Sequence, residues 1–544
     1  MLKSRNGFVL LIFLWATLVA IALLCRPLMP IDETRYLSVA WEMWHSGNFL
    51  VPHLNGSPYS HKPPLFFYLI HLGWSLFGVN EWSARLTGPF FGLLDLFITA
   101  HLARRLWPAE QRISRLAPFV LLGIPLWAVM STLTMFDLLL TFFVLLGAEG
   151  LLLCTSKKNQ PAGWILLGIA IGGGLLSKGP VVLLFLLPFG MLKPWWHITG
   201  SSASWSWYMN LTFSLFIGLF IALAWAIPAA KAGGPAYGRA ILWGQTAGRA
   251  VKSFAHRRPC WWYLPIVPMV LLPWSGHILR QARTIRMPRD GGTRFCLSWL
   301  LPPLLLLSLV SGKQIHYLLP LLPPAALLLA RMMLSVNQPP AIIPLKTMAV
   351  IYLAAGIFLA ILPHMALHAG NISLTGGINI FWNFLFILGG IILLRLRPAH
   401  VNTSIIGSCV AVVTFLSLVH LGPFQQLKRI YDLAPMAARI AEQQQEGKKI
   451  AVYPAKFSNQ FQFSGRLSAP LQAIDDYHTL ESWLKNNPGA VTVMVPKKPL
   501  PELPGIKPEF RHPFRGRQSS LWKAETLKLV LQKRQKTSKG SEEP

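Results

Sequence analysis

Apolar runs, most of them long enough to cross a bilayer, constrain this chain more than any other feature. They lie near residues 8–25, 84–105, 115–130, 135–154, 162–176, 180–195, 210–230, 262–279, 294–311, 315–333, 343–363, 377–395 and 403–422, about thirteen in all. Charged residues make up only 13% of the 544 and the mean hydropathy is +0.46. Soluble chains carry about 25% charged residues. That excludes a soluble enzyme, a coiled coil and a disordered scaffold, and leaves a polytopic, all-α membrane protein. Lys3 and Arg5 before the first run resemble a signal peptide's start, but the run is long enough to stay as an uncleaved first helix. The five cysteines are scattered singly, without disulfide or zinc-finger spacing.

The formal net charge of +30 does not imply nucleic acid, because Lys and Arg accumulate on cytoplasmic loops of membrane proteins. With the N-terminus in the cytoplasm, the even-numbered connections fall inside. They hold Arg104, Arg105, Arg112 and Arg115, then Lys157 and Lys158, then Arg280, Arg283, Arg286 and Arg289, then Arg395 and Arg397. Five cations stand on the wrong side, close to span ends: Lys62, Lys178, Arg257, Arg258 and Lys313. Each alone can snorkel to the interface. Gathered at one face, they call for an anionic partner, and phosphate fits.

Two segments are not spans. The first outer loop, 27–83, carries two interfacial helices, about 33–46 with Gly47 as its stop and about 64–78. The polar segment 423–520 reads as a small α/β domain, with helices through 436–445 and near 479–485 preceding extended segments at 449–453 and 491–495. The remainder, 521–544, is basic and reads as disordered. Residues 1–422 form the transmembrane domain, and an odd span count places the α/β domain on the same outer side as the first loop.

Chemistry-bearing residues cluster on that side. Asp32 and Glu33 stand just past the first span as candidate acid/base groups, although Asp32 could equally cap the helix that follows. His61-Lys62-Pro63-Pro64 fixes Lys62 at the water boundary. Asp137 opens the fourth span, and an acid there needs a partner or a function. Asp95 and Glu149, inside other spans, read as structural pairing residues. Ser177-Lys178-Gly179-Pro180 forms an outer turn. His256-Arg257-Arg258 precedes an aromatic belt, and Ser311-Gly312-Lys313-Gln314-Ile315-His316-Tyr317 precedes Leu318-Leu319-Pro320. No nucleotide-binding loop or Ser-His-Asp order appears.

Taken together, Asp32-Glu33-Thr34-Arg35-Tyr36, His61-Lys62-Pro63-Pro64-Leu65, Met135-Phe136-Asp137, Ser177-Lys178-Gly179 and Lys313 with Tyr317-Leu318-Leu319-Pro320 resemble the bacterial branch of the protein-mannosyltransferase-like GT-C glycosyltransferases. The likeness is greatest to the 4-amino-4-deoxy-L-arabinose lipid A transferases and covers essentially the whole chain. It implies a GT-C membrane fold in the bacterial inner membrane, with the active site and α/β domain in the periplasm. It further implies an inverting transfer from an undecaprenyl-phosphate sugar to lipid A or another envelope acceptor, with membrane lipids as surroundings and no nucleic acid. Asp32 matches the family's catalytic aspartate and Asp137 its second acidic position. Lys62 matches the lysine on the carrier phosphate, and Arg257 or Arg258 and Tyr317 fall where further phosphate contacts lie. Lys178 and Lys313 are additional candidates, with Arg35, Tyr36 and Tyr59 as pocket residues. One departure concerns metal: the family usually has Glu where this chain has His61. His61 with His256 is too small a ligand set to require an ion, so no cofactor is required and a zinc-like divalent cation is the alternative. A protein O-mannosyltransferase is the competing enzyme, discounted because the outer loop 231–261 is too short for that family's inserted domain. A lipid-linked-sugar flippase is the competing non-enzyme, discounted because the anomalous cations gather at one face.

Overall fold

The computed structural model describes residues 4–156, 158–197, 205–244, 257–281, 289–335, 343–368, 379–497, 500 and 503–539. Two compact units emerge, residues 1–25, 60–69 and 73–424 in one, and 26–59, 70–72 and 425–544 in the other.

The first unit is helical. Among the described residues, nine helices have the length and composition to cross a membrane, from Asn6–Cys25 through Glu81–Leu106, Phe136–Leu153 and Gln160–Lys178 to Val401–Gln425. Other apolar stretches are shorter helices, Val181–Met191, Cys260–Val270 and Ile380–Arg395. Three expected spans are interrupted, and punctuating residues explain each break. The run near 115–130 divides at Gly123 into Gln111–Leu122 and Pro125–Met130, with a proline opening the second piece. The run near 262–279 divides into Tyr263–Val270 and Ser275–Gln281, with Pro273 between them. The run near 315–333 begins as a 3-10 helix, Ile315–Leu321, around Pro320, before Leu322–Ser335 continues as α-helix. Glu149 pairs with Arg105, as its position inside a span requires. Asp95 does not pair: its carboxylate is fully buried, and neither oxygen has a hydrogen-bond partner among the described residues.

The second unit joins the start of the first loop to the C-terminal α/β fold. Its sheet runs β4-β3-β5-β7-β6, where β3 is Ile450–Tyr453, β4 Gln472–Ala473, β5 Val491–Met494, β6 Phe510–Phe514 and β7 Arg517–Lys523. The first three strands are parallel and the last two antiparallel. Side chains alternate across it. Val452, Val493 and Leu521 face helix Ala434–Gln445 through Met436 and Ile440. Ala451, Met494 and Trp522 face helix Tyr477–Asn486 through Leu480 and Leu484. The expectation of disorder beyond 521 is corrected here: β7 runs to Lys523, and helix Ala524–Lys539 buries Leu527, Val530 and Leu531 against the sheet. Those three residues recur at helical spacing, and the basic composition concealed them.

In the same unit, helix Asp32–Ser46 ends at Gly47, whose φ of 68° suits a residue without a side chain. Behind it, β1 (His53–Leu54) and β2 (Ser57–Pro58) form a hairpin across Asn55-Gly56, both at positive φ. Asn-Gly is the preferred pair for such a two-residue turn. The Glu42 carboxylate accepts from the turn's two amides, Asn55 N at 2.5 Å and Gly56 N at 3.0 Å. Burial lifts the Glu42 carboxyl above its ordinary pKa, with those two amides working against the rise. The Asn55 side chain then bridges to the α/β fold, accepting from Leu471 N at 2.7 Å and Gln462 Nε2 at 3.0 Å and donating to Leu471 O at 2.8 Å. Trp41 Nε1 donates to Leu467 O at 2.9 Å, and the Arg466 guanidinium covers the Trp41 ring at 5.3 Å.

Candidate active site

The expected site residues divide between the two units. In the first, Lys178 is the last residue of helix Gln160–Lys178, where the following Gly179, at φ 78°, turns the chain sharply. Asp137 sits in the first turn of helix Phe136–Leu153. Lys178 Nζ donates to Asp137 Oδ1 at 2.5 Å, and the side chains are only 10% and 3% exposed. Lys62 and His316 also bear electrostatically on Asp137. Lys62 Nζ lies 5.5 Å from the centre of the Phe136 ring, and Lys178 Nζ lies 5.0 Å from that of Tyr317. The His316 ring meets the other side of the cluster, edge-on to Tyr317 at 4.9 Å. Lys62, Asp137, Lys178 and Tyr317 are thus gathered as expected, and His316 joins them.

One other cation serves the backbone. Lys313 is buried, and its ammonium donates to the carbonyls of Val310 at 2.5 Å and Arg258 at 3.1 Å. Its charge holds two chain segments together instead of standing ready for a ligand. Arg258 N donates to Ser311 O at 3.1 Å, and residues 257 and 312 form a β-bridge. Arg257 and Arg258 are exposed, the latter's guanidinium 6.0 Å from the Trp262 ring centre. Tyr263 hydroxyl donates to Gln314 O at 3.0 Å, anchoring the same stretch.

In the second unit, Asp32 opens its helix without capping it; instead it accepts from Arg35 at 2.5 Å, with its side chain half exposed. Burial works against the Arg35 charge, yet Tyr59, Tyr36 and Asp32 together hold its pKa above the ordinary value. Glu33 turns the opposite way. It is buried in an ion pair with Arg26 and accepts from Met29 N at 2.8 Å, so both its oxygens are engaged in fixing the start of the loop. His61 is exposed, and His256 lies outside the described residues. Among the described residues no three His, Cys, Asp or Glu side chains converge as a metal site.

His316 had been visible in the motif before Tyr317 but carried no signal as a site residue, because sequence spacing does not show that a 3-10 turn brings it to Asp137. The Asn55-Gly56 hairpin, by contrast, had a readable signal in its dipeptide.

A family model for dolichyl-phosphate-mannose-protein mannosyltransferase matches residues 61–228, the stretch that carries Lys62, Asp137 and Lys178. Solved structures of ArnT from Cupriavidus metallidurans align over nearly the whole chain. The one bound to undecaprenyl phosphate has a TM-score of 0.75 at 19% identity, covering 95% of this chain and 97% of that one. The apo form also reaches 0.75, at 20% identity.

The chain has the fold of these ArnT structures.

The chain is therefore a membrane protein, with a small sheet-containing domain appended to its helices. In sequence it resembles the undecaprenyl phosphate-alpha-4-amino-4-deoxy-L-arabinose arabinosyl transferases. It is 34% identical to that of Pseudomonas aeruginosa (strain UCBPP-PA14) over 312 residues, 55% of this chain and 54% of the relative. With the enzyme of Enterobacter sp. (strain 638), 30% identity extends over 343 residues, 61% and 60% of the two chains. The matches thus span little more than half the length of these relatives.

Proposed function

We propose that the protein is an inverting glycosyltransferase of the inner membrane. It moves a sugar, 4-amino-4-deoxy-L-arabinose by analogy with the names of its relatives, from undecaprenyl phosphate to lipid A or another envelope acceptor. The observation that carries this reading is the cluster of Lys62, Lys178 and Tyr317 around the buried Asp137. Two lysines against one carboxylate leave a net positive charge, in a place where desolvation strengthens electrostatics.

The glycosidic bond to the carrier breaks with its electron pair left on the phosphate oxygen. Fixed cations beside that oxygen act most strongly as its charge grows, so they lower the barrier more than they tighten ground-state binding. Asp137 is the counter-ion that holds Lys178 extended and oriented. Lys313 ties the segment bearing Arg257 and Arg258 to the turn that leads to Tyr317. Asp32, half exposed, is the group that takes the proton of an acceptor hydroxyl or, where the acceptor is an ionised phosphate, positions it. Glu33 and Arg26 fix the loop that presents it.

The five cations and the acidic pair belong to the periplasmic side, with the N-terminus in the cytoplasm, as the distribution of Lys and Arg over the connections supports. Mass spectrometry of lipid A from cells with and without the gene tests the reading. A mass increment equal to one aminopentose, present only with the gene, supports it; identical lipid A and glycolipid spectra would remove it.

A further inference from the structure

We propose that the His316 imidazole is a third cation of the phosphate cluster, supplying the positive charge that matches the second negative charge of the polyprenyl phosphate product. This rests on the function proposed above and adds to it a group that senses how far the reaction has gone.

The charge count is the reason. A sugar-phosphate diester carries one negative charge, and Lys62 and Lys178 against Asp137 provide one net positive charge to meet it. When the C1–O bond breaks, its electrons remain on the carrier phosphate. The acceptor oxygen supplies the pair for the new bond to C1. The carrier is then a monoester, whose second ionisation lies near pH 6, and the fixed cations are one short. Among the described side chains that act on Asp137 with Lys62 and Lys178, His316 is the imidazole, the group that changes charge in the neutral range. Lys62 and Lys178 act on the same carboxylate, and the Tyr317 ring lies between His316 and Lys178.

Geometry places the imidazole for the task. His316 and Tyr317 are consecutive residues of the 3-10 helix 315–321, and their rings pack edge-to-face at 4.9 Å. The Tyr317 ring is in turn covered by Lys178 at 5.0 Å, and Lys178 holds Asp137. His316 is half-buried, within electrostatic reach of Asp137 and open to a proton from water. Product binding then charges His316, and its loss of that proton favours product release.

The test is calorimetric titration of undecaprenyl phosphate into the full chain in lipid nanodiscs at pH 6, 7 and 8. Buffers of differing ionisation enthalpy report the protons taken up. The wild type takes up more protons on binding than His316→Gln, and its affinity gain from pH 8 to pH 6 exceeds that of the variant on the order of fivefold. The phosphate's own titration is common to both proteins and cancels. His316→Lys, a permanent cation, loses the extra pH dependence while retaining tight binding, and decides the matter if the glutamine variant does not fold. Equal proton uptake and equal pH slopes in wild type and His316→Gln, or a His316→Lys protein whose slope matches the wild type, would overturn the inference. If the wild type fails to bind undecaprenyl phosphate at any pH, the underlying function falls with it.

Discussion

Replacing either partner of the Asp137–Lys178 pair separates what the pair does for the fold from what it does for the ligand. Its side chains are 3% and 10% exposed and meet at 2.5 Å, so both charges have left water. Removing one partner of a buried pair costs about 3–5 kcal/mol, because the other charge remains buried without compensation. In Lys178→Met the stranded group is Asp137, but Lys62 and His316 still act on it, which brings the loss to the low end, about 3 kcal/mol. In Asp137→Asn the stranded group is Lys178. Its flexible stem lets the ammonium move toward water, and the loss is about 1–2 kcal/mol. The double variant removes both charges and recovers stability to within about 1 kcal/mol of the wild type. Ligand binding moves differently. Lys178→Met weakens undecaprenyl phosphate binding, whereas Asp137→Asn strengthens it, since a carboxylate next to the phosphate is gone. Denaturant unfolding in detergent followed by helicity gives the stabilities, and titration of the lipid gives the affinities. Additive stability losses below about 0.5 kcal/mol each, or weaker lipid binding in both single variants, would refute the reasoning.

Lys62→Ala removes one charge-assisted contact of about 1.5–3 kcal/mol and so weakens undecaprenyl phosphate binding about ten- to a hundredfold by the same titration. Asn55→Ala strands the Leu471 amide and leaves Gln462 Nε2 with only the Ser458 carbonyl, lowering stability by about 1–3 kcal/mol, measured by denaturant unfolding; a neutral effect would mean the hairpin does not fasten the second unit. The Glu42 carboxyl, raised by burial, favours the folded state most when protonated. Its contribution is therefore fully present below the unfolded carboxylate range, near pH 4.3, and is lost as pH climbs through the higher folded value. Unfolding measured from pH 4 to pH 7 should show that loss in the wild type and not in Glu42→Gln.

Much of this architecture is written in local patterns. The long apolar runs, the Gly47 stop and the short apolar segments of β3 and β5 are short-range signals, and each corresponds to an observed element. Lys62, Asp137 and Lys178 were legible as candidates because charge beside hydrocarbon is costly and needs a reason, whereas the uncharged Tyr317 became one only through the family resemblance. Lys313 looked the same in sequence, yet two carbonyls consume it, and only tertiary structure reveals those acceptors. Asp95 failed in the opposite sense: pairing was the economical expectation, and no partner faces it among the described residues. The edge strand β6 escaped notice because Pro513 and alternating charge disguise it, while its hydrogen bonds come entirely from β7. His316 was missed for the same physical reason as Lys313, since its role depends on which groups the fold places beside it.

Transfer by the purified protein tests the central claim most directly. With undecaprenyl phosphate-aminoarabinose and lipid A in proteoliposomes, the wild type should yield modified lipid A and free undecaprenyl phosphate in equal amounts, while Asp32→Asn, folded and still able to bind the carrier, yields neither. No modified lipid A and no released carrier from the wild type, or unchanged turnover by Asp32→Asn, would contradict the account.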